Sequence, residues 1–341
     1  MLAQQTNRTP NPRNHFIAMT LHDIREEIRP FMEHYHDAYQ TLVACQLPLI
    51  DEISHYLMQK PGKELRPMLM ILTACCCGMS EEADERHPLF RVASAVELLH
   101  NSSLLHDDVI DNALIRRGRD TVNQRWDNKT AILVGDYFLS QVMATLNSLN
   151  RTEVTQVMNS TVSTMSLGEL VQHRNIGNYA LDEGTYRNII GSKTAALMSA
   201  SCELGALLSD RATPAECEAA RKYGQTLGLA FQMRDDLLDY QPSTVTGKPQ
   251  GNDIREHRAT LPLILTLKRY NKKELLPLLQ QAEINEDQLK TIIETVRNCG
   301  AIEDTQQQIA AELLKAKEAL SVLKANRYRD YLACIGLVIG D

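Results

Sequence analysis

Between Pro88 and Pro214 the chain runs for 125 residues without a proline, and all 12 of its prolines lie at or outside those two positions. Proline removes a backbone N–H and clashes with the preceding helical turn, so a stretch this long without it is free to carry long, unbroken helices. Apolar residues recur at helical spacing there and beyond. They predict helices over about 21–44, 46–58, 64–78, 88–111, 130–150, 152–172, 182–190, 193–209 and 213–240, then 260–281, 286–299, 302–323 and 327–339. Aromatic residues are only 5% of the chain, fewer than a sheet protein normally carries. An all-α fold is the expectation. No linker rich in Gly, Ser or Pro divides residues 20–341, which read as one domain with room for a small C-terminal subdomain. Residues 1–19 are polar and read as a disordered tail. The one long break runs from Gln241 to Asp253 and contains Pro242, Gly247, Pro249 and Gly251.

Several partners are excluded by charge and hydropathy. The net charge of -7 gives no overall positive field to hold a nucleic-acid backbone. No stretch reaches the length of apolar sequence that a membrane span requires, and no signal-type segment opens the chain, so a cytoplasmic protein is expected. The eight cysteines are scattered apart from the run Cys75, Cys76, Cys77. Successive helical residues point about 100° apart, so these three thiols cannot converge on one metal and read as small core residues kept reduced.

Chemistry concentrates in two acid clusters. Asp107, Asp108 and Asp111 repeat the pattern of Asp235, Asp236 and Asp239, DDxxD in both cases, each at the C-terminal end of an expected helix. Residues i and i+4 share a helix face, so Asp107 and Asp111 point together, as do Asp235 and Asp239. Three like charges within one turn repel and call for cations. Hard oxygen ligands select Mg²⁺, which prefers a few carboxylates with water and phosphate oxygens to an all-protein cage. A solvated acidic face is the ordinary reading of one such cluster. With 20 aspartates in 341 residues, however, a single DDxxD is expected by chance only about 0.07 times, and two far less often.

Cations suited to the far side of those metals are spread along the sequence. Lys63 and Arg66 lie three apart at an expected helix start, where backbone N–H groups also favour an anion. Arg116 and Arg117 follow the first cluster, Lys193 and Thr194 open another expected helix, and Lys248 and Arg258 flank the loop after the second cluster. Two phosphate sites are implied, one bridged to carboxylates through Mg²⁺ and one held by Lys and Arg alone.

Taken in order, GKxxRP at 62–67, His100, LLHDDVID at 104–111, RRG at 116–118, VGD at 134–136, Lys193-Thr194, FQxxDDxxD at 231–239 and Gly247-Lys248 resemble the trans-isoprenyl diphosphate synthases, the polyprenyl synthetase family. The resemblance covers about Asp23 to the C-terminus. It implies a single-domain helical bundle around a deep central cavity, usually homodimeric, that condenses isopentenyl diphosphate with an allylic diphosphate. On the matching positions it assigns Mg²⁺ coordination to Asp107, Asp111 and Asp235, supported by Asp108, Asp236 and Asp239, with three Mg²⁺ ions in all. It gives Arg116, Lys193, Thr194, Gln232 and Lys248 to the allylic diphosphate, and Lys63, Arg66, His100 and Arg117 to isopentenyl diphosphate. Two departures stand out: His257-Arg258 replaces a Gly-Lys pair, putting Arg258 in the allylic set, and Pro61-Gly62 replaces a common Gly-Gly.

In this family, bulk just before the first cluster stops chain growth. Here Ser102 and Ser103 are small, with Leu98 and Leu99 a turn further down, which implies a product of C20 or longer, in the C30–C50 range. Three competing readings are a short-chain farnesyl or geranylgeranyl synthase, a terpene cyclase and a non-catalytic subunit of a heteromeric synthase. The second DDxxD with Lys63 and Arg66 argues against the cyclase, and the full set of aspartates against the inert subunit.

Overall fold

The computed structural model describes residues 19–209, 211–241, 250–269 and 272–340. Most of the expected tail, and Lys248 with the loop around it, lie outside the described residues. What is described is helical almost throughout. Helix α1 (Leu21–Glu27) starts at a reciprocal cap between Thr20 and Asp23, and α2 (Arg29–Val43) follows directly. These replace the single helix expected over 21–44. Pro30 has no N–H to continue a helix, so the chain breaks at Ile28 and restarts with the proline in the first turn.

Helices α3 (Pro48–Met58), α4 (Leu65–Cys76) and α5 (Pro88–Ile110) come next. Every residue of α4 except Arg66 is buried, as a helix apolar on all sides must be. It is packed by α5 and by two later helices, α10 (Ala196–Leu208) and α17 (Arg327–Gly340). Cys75, Cys76 and Cys77 belong to this centre and are free thiols, pushed well up by burial.

The RRG signature forms structure that helical periodicity gave no reason to expect. Strands β1 (Ile115–Arg116) and β2 (Arg119–Asp120) pair antiparallel across Arg117 and Gly118, whose φ values are +52° and +71°. With both central residues left-handed this is the type I′ two-residue hairpin turn, whose twist suits paired strands, and glycine meets the requirement without strain at the second. Helix α6 (Val122–Arg125), α7 (Asn128–Ser148) and α8 (Thr152–Arg174) complete the first half.

Helix α9 (Glu183–Ile190) runs without a break through a π-helical turn, Gly191–Ala195, into α10. This corrects the expectation that Lys193 and Thr194 open a helix. They sit instead in the widened turn, wedged between glycines of two neighbours. A Cβ on Gly168 of α8 would meet Ser192 Cβ at 2.5 Å, and one on Gly228 of α11 (Pro214–Leu238) would meet Ala195 Cα at 2.5 Å. The C-terminal part holds α12 (Asn252–Arg255), α13 (Leu261–Arg269), α14 (Lys272–Leu279), α15 (Glu286–Asn298) and α16 (Ala301–Leu320). Its residues Tyr240, Ile254, Leu261, Leu279 and Ile292 form a second hydrophobic cluster beside the main one. The two meet along α11, where Leu227 belongs to the first and Met233 to the second.

Candidate active site

Both acid clusters terminate long helices. Asp107 and Asp108 end α5 with Asp111 as its C-cap, while Asp235 and Asp236 end α11 with Asp239 as its C-cap. The C-terminal end of a helix already carries partial negative charge, so each cluster sits where carboxylates are least welcome. Burial adds to this. It pushes the Asp107 carboxyl up to about 6, against the pull of Lys193, and the Asp236 carboxyl up to about 7.

In the first cluster each aspartate has its own protein cation. Arg116 donates from Nε to Asp108 Oδ1 at 2.6 Å. Arg258 lies 2.8 Å from Asp111 Oδ1, and Lys193 Nζ lies 3.8 Å from Asp107 Oδ2. Two of these cations also touch glutamates, Lys193 with Glu169 at 2.7 Å and Arg258 with Glu256 at 2.7 Å. His257 takes no part in this. Held at φ +55°, its Nδ1 meets the Tyr179 hydroxyl at 2.8 Å, which anchors the segment that carries Arg258 across to Asp111.

The second cluster is held by hydrogen bonds. Thr194 donates to Gln232 Oε1 at 2.7 Å, Gln232 donates from Nε2 to Asp236 Oδ1 at 2.8 Å, and Tyr186 donates to Asp236 Oδ2 at 2.6 Å. Asp239 accepts the N–H groups of Asn252 and Asp253 at 3.0 Å each. Asp235 is exposed. Gln172, Lys193, Thr194, Gln232, Asp236 and Arg258 line one cleft, which brings together side chains separated by up to 86 positions.

A second group of cations surrounds His100, whose imidazole is held well below its usual range, first by burial and then by Arg66, Arg117 and Arg116. It is neutral at pH 7. Arg66 stands in the first turn of α4, its Nε buried without a hydrogen-bond partner. No side chain caps that turn, so its leading N–H groups and the Arg66 fork present the donors an anion needs. Arg117 donates to the Lys60 carbonyl at 3.2 Å and lies against Gly62, where a Cβ would clash with its guanidinium. The Lys63 side chain is exposed, and its carbonyl accepts from Arg25 at 2.8 Å.

Among the described residues no three His, Cys, Asp or Glu side chains form a ready-made metal cage. The donor set nonetheless fits Mg²⁺, because hard carboxylate oxygens gather at the two helix ends, those of Asp107 and Asp236 desolvated, and Mg²⁺ completes its shell with water and phosphate. His106 is turned aside: it abuts Gly135, with Nε2 3.2 Å from the Ile132 carbonyl and 3.4 Å from Asp136. Ser102 is buried and donates to the Gly135 carbonyl at 2.8 Å, and Ser103 donates to the His100 carbonyl at 2.8 Å. Leu98 and Leu99 are buried beneath them. Glu169, Glu256 and Tyr186 were not singled out by the sequence. Glu169 is a lone acid among apolar neighbours, while Tyr186 and Glu256 stand among other polar residues, and only the packing brings each of them to the site.

The bundle and its paired acid and cation sets define an all-helical isoprenoid synthase. The polyprenyl synthetase model matches residues 47–296, and the chain belongs to that family. It is 34% identical over 299 residues to heptaprenyl diphosphate synthase component 2 of Bacillus subtilis, covering 87% of this chain and 84% of the relative. It is 32% identical over 322 residues to octaprenyl diphosphate synthase of Escherichia coli, covering 94% and 97%. A polyprenyl synthase from Caulobacter crescentus, solved with calcium and isoprenyl diphosphate, superposes with a TM-score of 0.87 at 28% identity over 94% of this chain and 97% of that one.

Proposed function

We propose that this chain condenses isopentenyl diphosphate with an allylic diphosphate, repeatedly, to an all-trans polyprenyl diphosphate of C30–C50. The carrying observation is that Lys193, Thr194 and Arg258 line one cleft with Asp236 of the second acid cluster, while Lys193 and Arg258 also pair with Asp107 and Asp111 of the first, and that Arg66 and Arg117 stand around a neutral His100. The first set suits the allylic diphosphate and the second isopentenyl diphosphate. Three Mg²⁺ ions held by Asp107, Asp111 and Asp235 would neutralise the leaving diphosphate. Around them, Arg116, Lys193 and Arg258 bind the charge that develops as the allylic C–O bond breaks. The isopentenyl double bond then attacks the allylic cation to form the new C–C bond, and the departed diphosphate takes up the proton lost from the adjacent carbon, with no protein nucleophile required. Helix walls exclude the water that would quench the cation.

Ser102 and Ser103 each donate their hydroxyl to a backbone carbonyl, so a passage beside them meets little polarity and little bulk. The named heptaprenyl and octaprenyl synthases are consistent with the longer product. A homodimer is supported by exposed Leu47, Leu49, Ile132 and Leu133, where the loop at Cys45 meets α7 through Tyr137. No described helix is long and apolar enough to cross a membrane, in keeping with a cytoplasmic enzyme. A second reading rests on the relative named as component 2: this chain would then need another component for activity. One experiment tests both. The purified chain is incubated with isopentenyl diphosphate, farnesyl diphosphate and Mg²⁺, and the dephosphorylated products are separated by chromatography. Chains of C30 or longer, abolished by EDTA, are expected. No product from the chain alone would refute the first reading, and products that stop at C20 or C25 would refute the length.

A further inference from the structure

Lys193 and Arg258 share an arrangement that the reaction scheme above leaves unused. Lys193 lies between Glu169, at 2.7 Å, and Asp107, at 3.8 Å. Arg258 lies between Glu256, at 2.7 Å, and Asp111, at 2.8 Å. Each cation is thus shared by one aspartate of the first cluster and one glutamate outside it. The Lys193 trio is largely out of solvent, with side-chain exposures of 26% for Lys193, 19% for Glu169 and 18% for Asp107. Gln172 donates from Nε2 to Glu169 Oε1 at 3.0 Å, which leaves Oε2 to the lysine.

We propose that Glu169 and Glu256 are positioning residues, each retaining a diphosphate-binding cation at the site while its aspartate passes to metal. The inference rests on the function proposed above. When a divalent ion reaches Asp107 or Asp111, a protein cation already on that carboxylate is repelled and has to give way. In a partly desolvated cleft, a lysine or arginine set free in this way would keep only more distant carboxylates, such as Asp253 near Arg258 and Glu256 near Lys193. The glutamate supplies one. It holds the cation beside the metal until the diphosphate arrives, and the cation then changes partner with little movement. Without the glutamate, Asp107 or Asp111 holds the cation's remaining direct ion pair, and metal has to compete for it.

The test is Mn²⁺ titration of the purified full chain by electron paramagnetic resonance, first alone and then with inorganic pyrophosphate. Glutamine preserves the size of each glutamate. Glu169→Gln and Glu256→Gln are each expected to weaken Mn²⁺ binding without pyrophosphate by about tenfold, the scale of one charge-assisted contact. A loss of general negative charge would have the same sign, so the double variant decides. Lys193→Gln should tighten Mn²⁺ binding more in the Glu169→Gln background than in the wild type, and Arg258→Gln likewise with Glu256→Gln. Additive effects, or unchanged Mn²⁺ affinity in both single variants, overturn the proposal. If the wild type binds no Mn²⁺ even with pyrophosphate, the proposed function itself fails.

Discussion

Asp107→Asn should make the metal-free protein more stable while destroying its activity. Burial raises the Asp107 carboxyl from 3.8 to about 6, so keeping it charged at neutral pH costs about 3 kcal/mol at roughly 1.4 kcal/mol per unit. A carboxyl whose folded pKa is raised leaves stability intact below its unfolded value and erodes it as pH climbs through the folded one. Asparagine never ionises. The variant should therefore match the wild type near pH 4 and gain on it progressively, reaching its full advantage above about pH 7. Lys193 is not stranded by the change, since Glu169 lies 2.7 Å away. For a chain of this size, 3 kcal/mol corresponds to about 4 °C in Tm. Calorimetry in EDTA across pH 4–8 measures it. Addition of Mg²⁺ and pyrophosphate should stabilise the wild type much more than the variant, and turnover should fall by orders of magnitude. A variant less stable than wild type at pH 8 in EDTA would mean that Asp107 serves mainly as a structural partner of Lys193, and the reasoning would be wrong.

Arg66→Ala should raise the Michaelis constant for isopentenyl diphosphate about ten- to hundredfold and leave the allylic one nearly unchanged, because the Arg66 fork belongs to the His100 group of cations. Steady-state kinetics with each substrate varied in turn decides, and a shift in the allylic constant alone would reverse the assignment. Ser103→Phe should shorten the product, since Ser103 lies one turn below Asp107 on the same side of α5 and a turn is about 5.4 Å deep. Ser102→Phe should act similarly at a larger cost in stability, because it also breaks the bond to the Gly135 carbonyl. Product chromatography checks both, and unchanged chain length in folded Ser103→Phe would remove the passage from this side. Gly228→Ala places a Cβ 2.5 Å from Ala195 Cα, where backbone has to move. About 1–3 kcal/mol of stability should go, and turnover should fall with it as the Lys193 turn shifts; an unaltered rate would show that the turn tolerates displacement.

Helical period and proline placement determined much of this protein within the sequence itself. The long helices, the ends of α5 and α11 as seats for the two DDxxD clusters, and the pairing of Asp107 with Asp111 follow from spacing alone, because a helix fixes which residues share a face within a turn or two. The side chains proposed to bind diphosphate are picked out by their order along the chain and its resemblance to the family, not by spacing. Local rules misjudged the chain where backbone geometry departs from the plain helix. They passed over the break at Ile28, the hairpin at Arg117 and Gly118, and the π-helical turn that carries Lys193. Long-range partners belong to tertiary structure alone. Glu169 reaches Lys193, Tyr186 reaches Asp236 and Arg258 reaches Asp111 because α8 and α11 approach the π-turn through Gly168 and Gly228, and because Tyr179 pins His257. Nothing in the local sequence of a lone glutamate or tyrosine states which distant helix will pack against it, since that choice is made by the whole core.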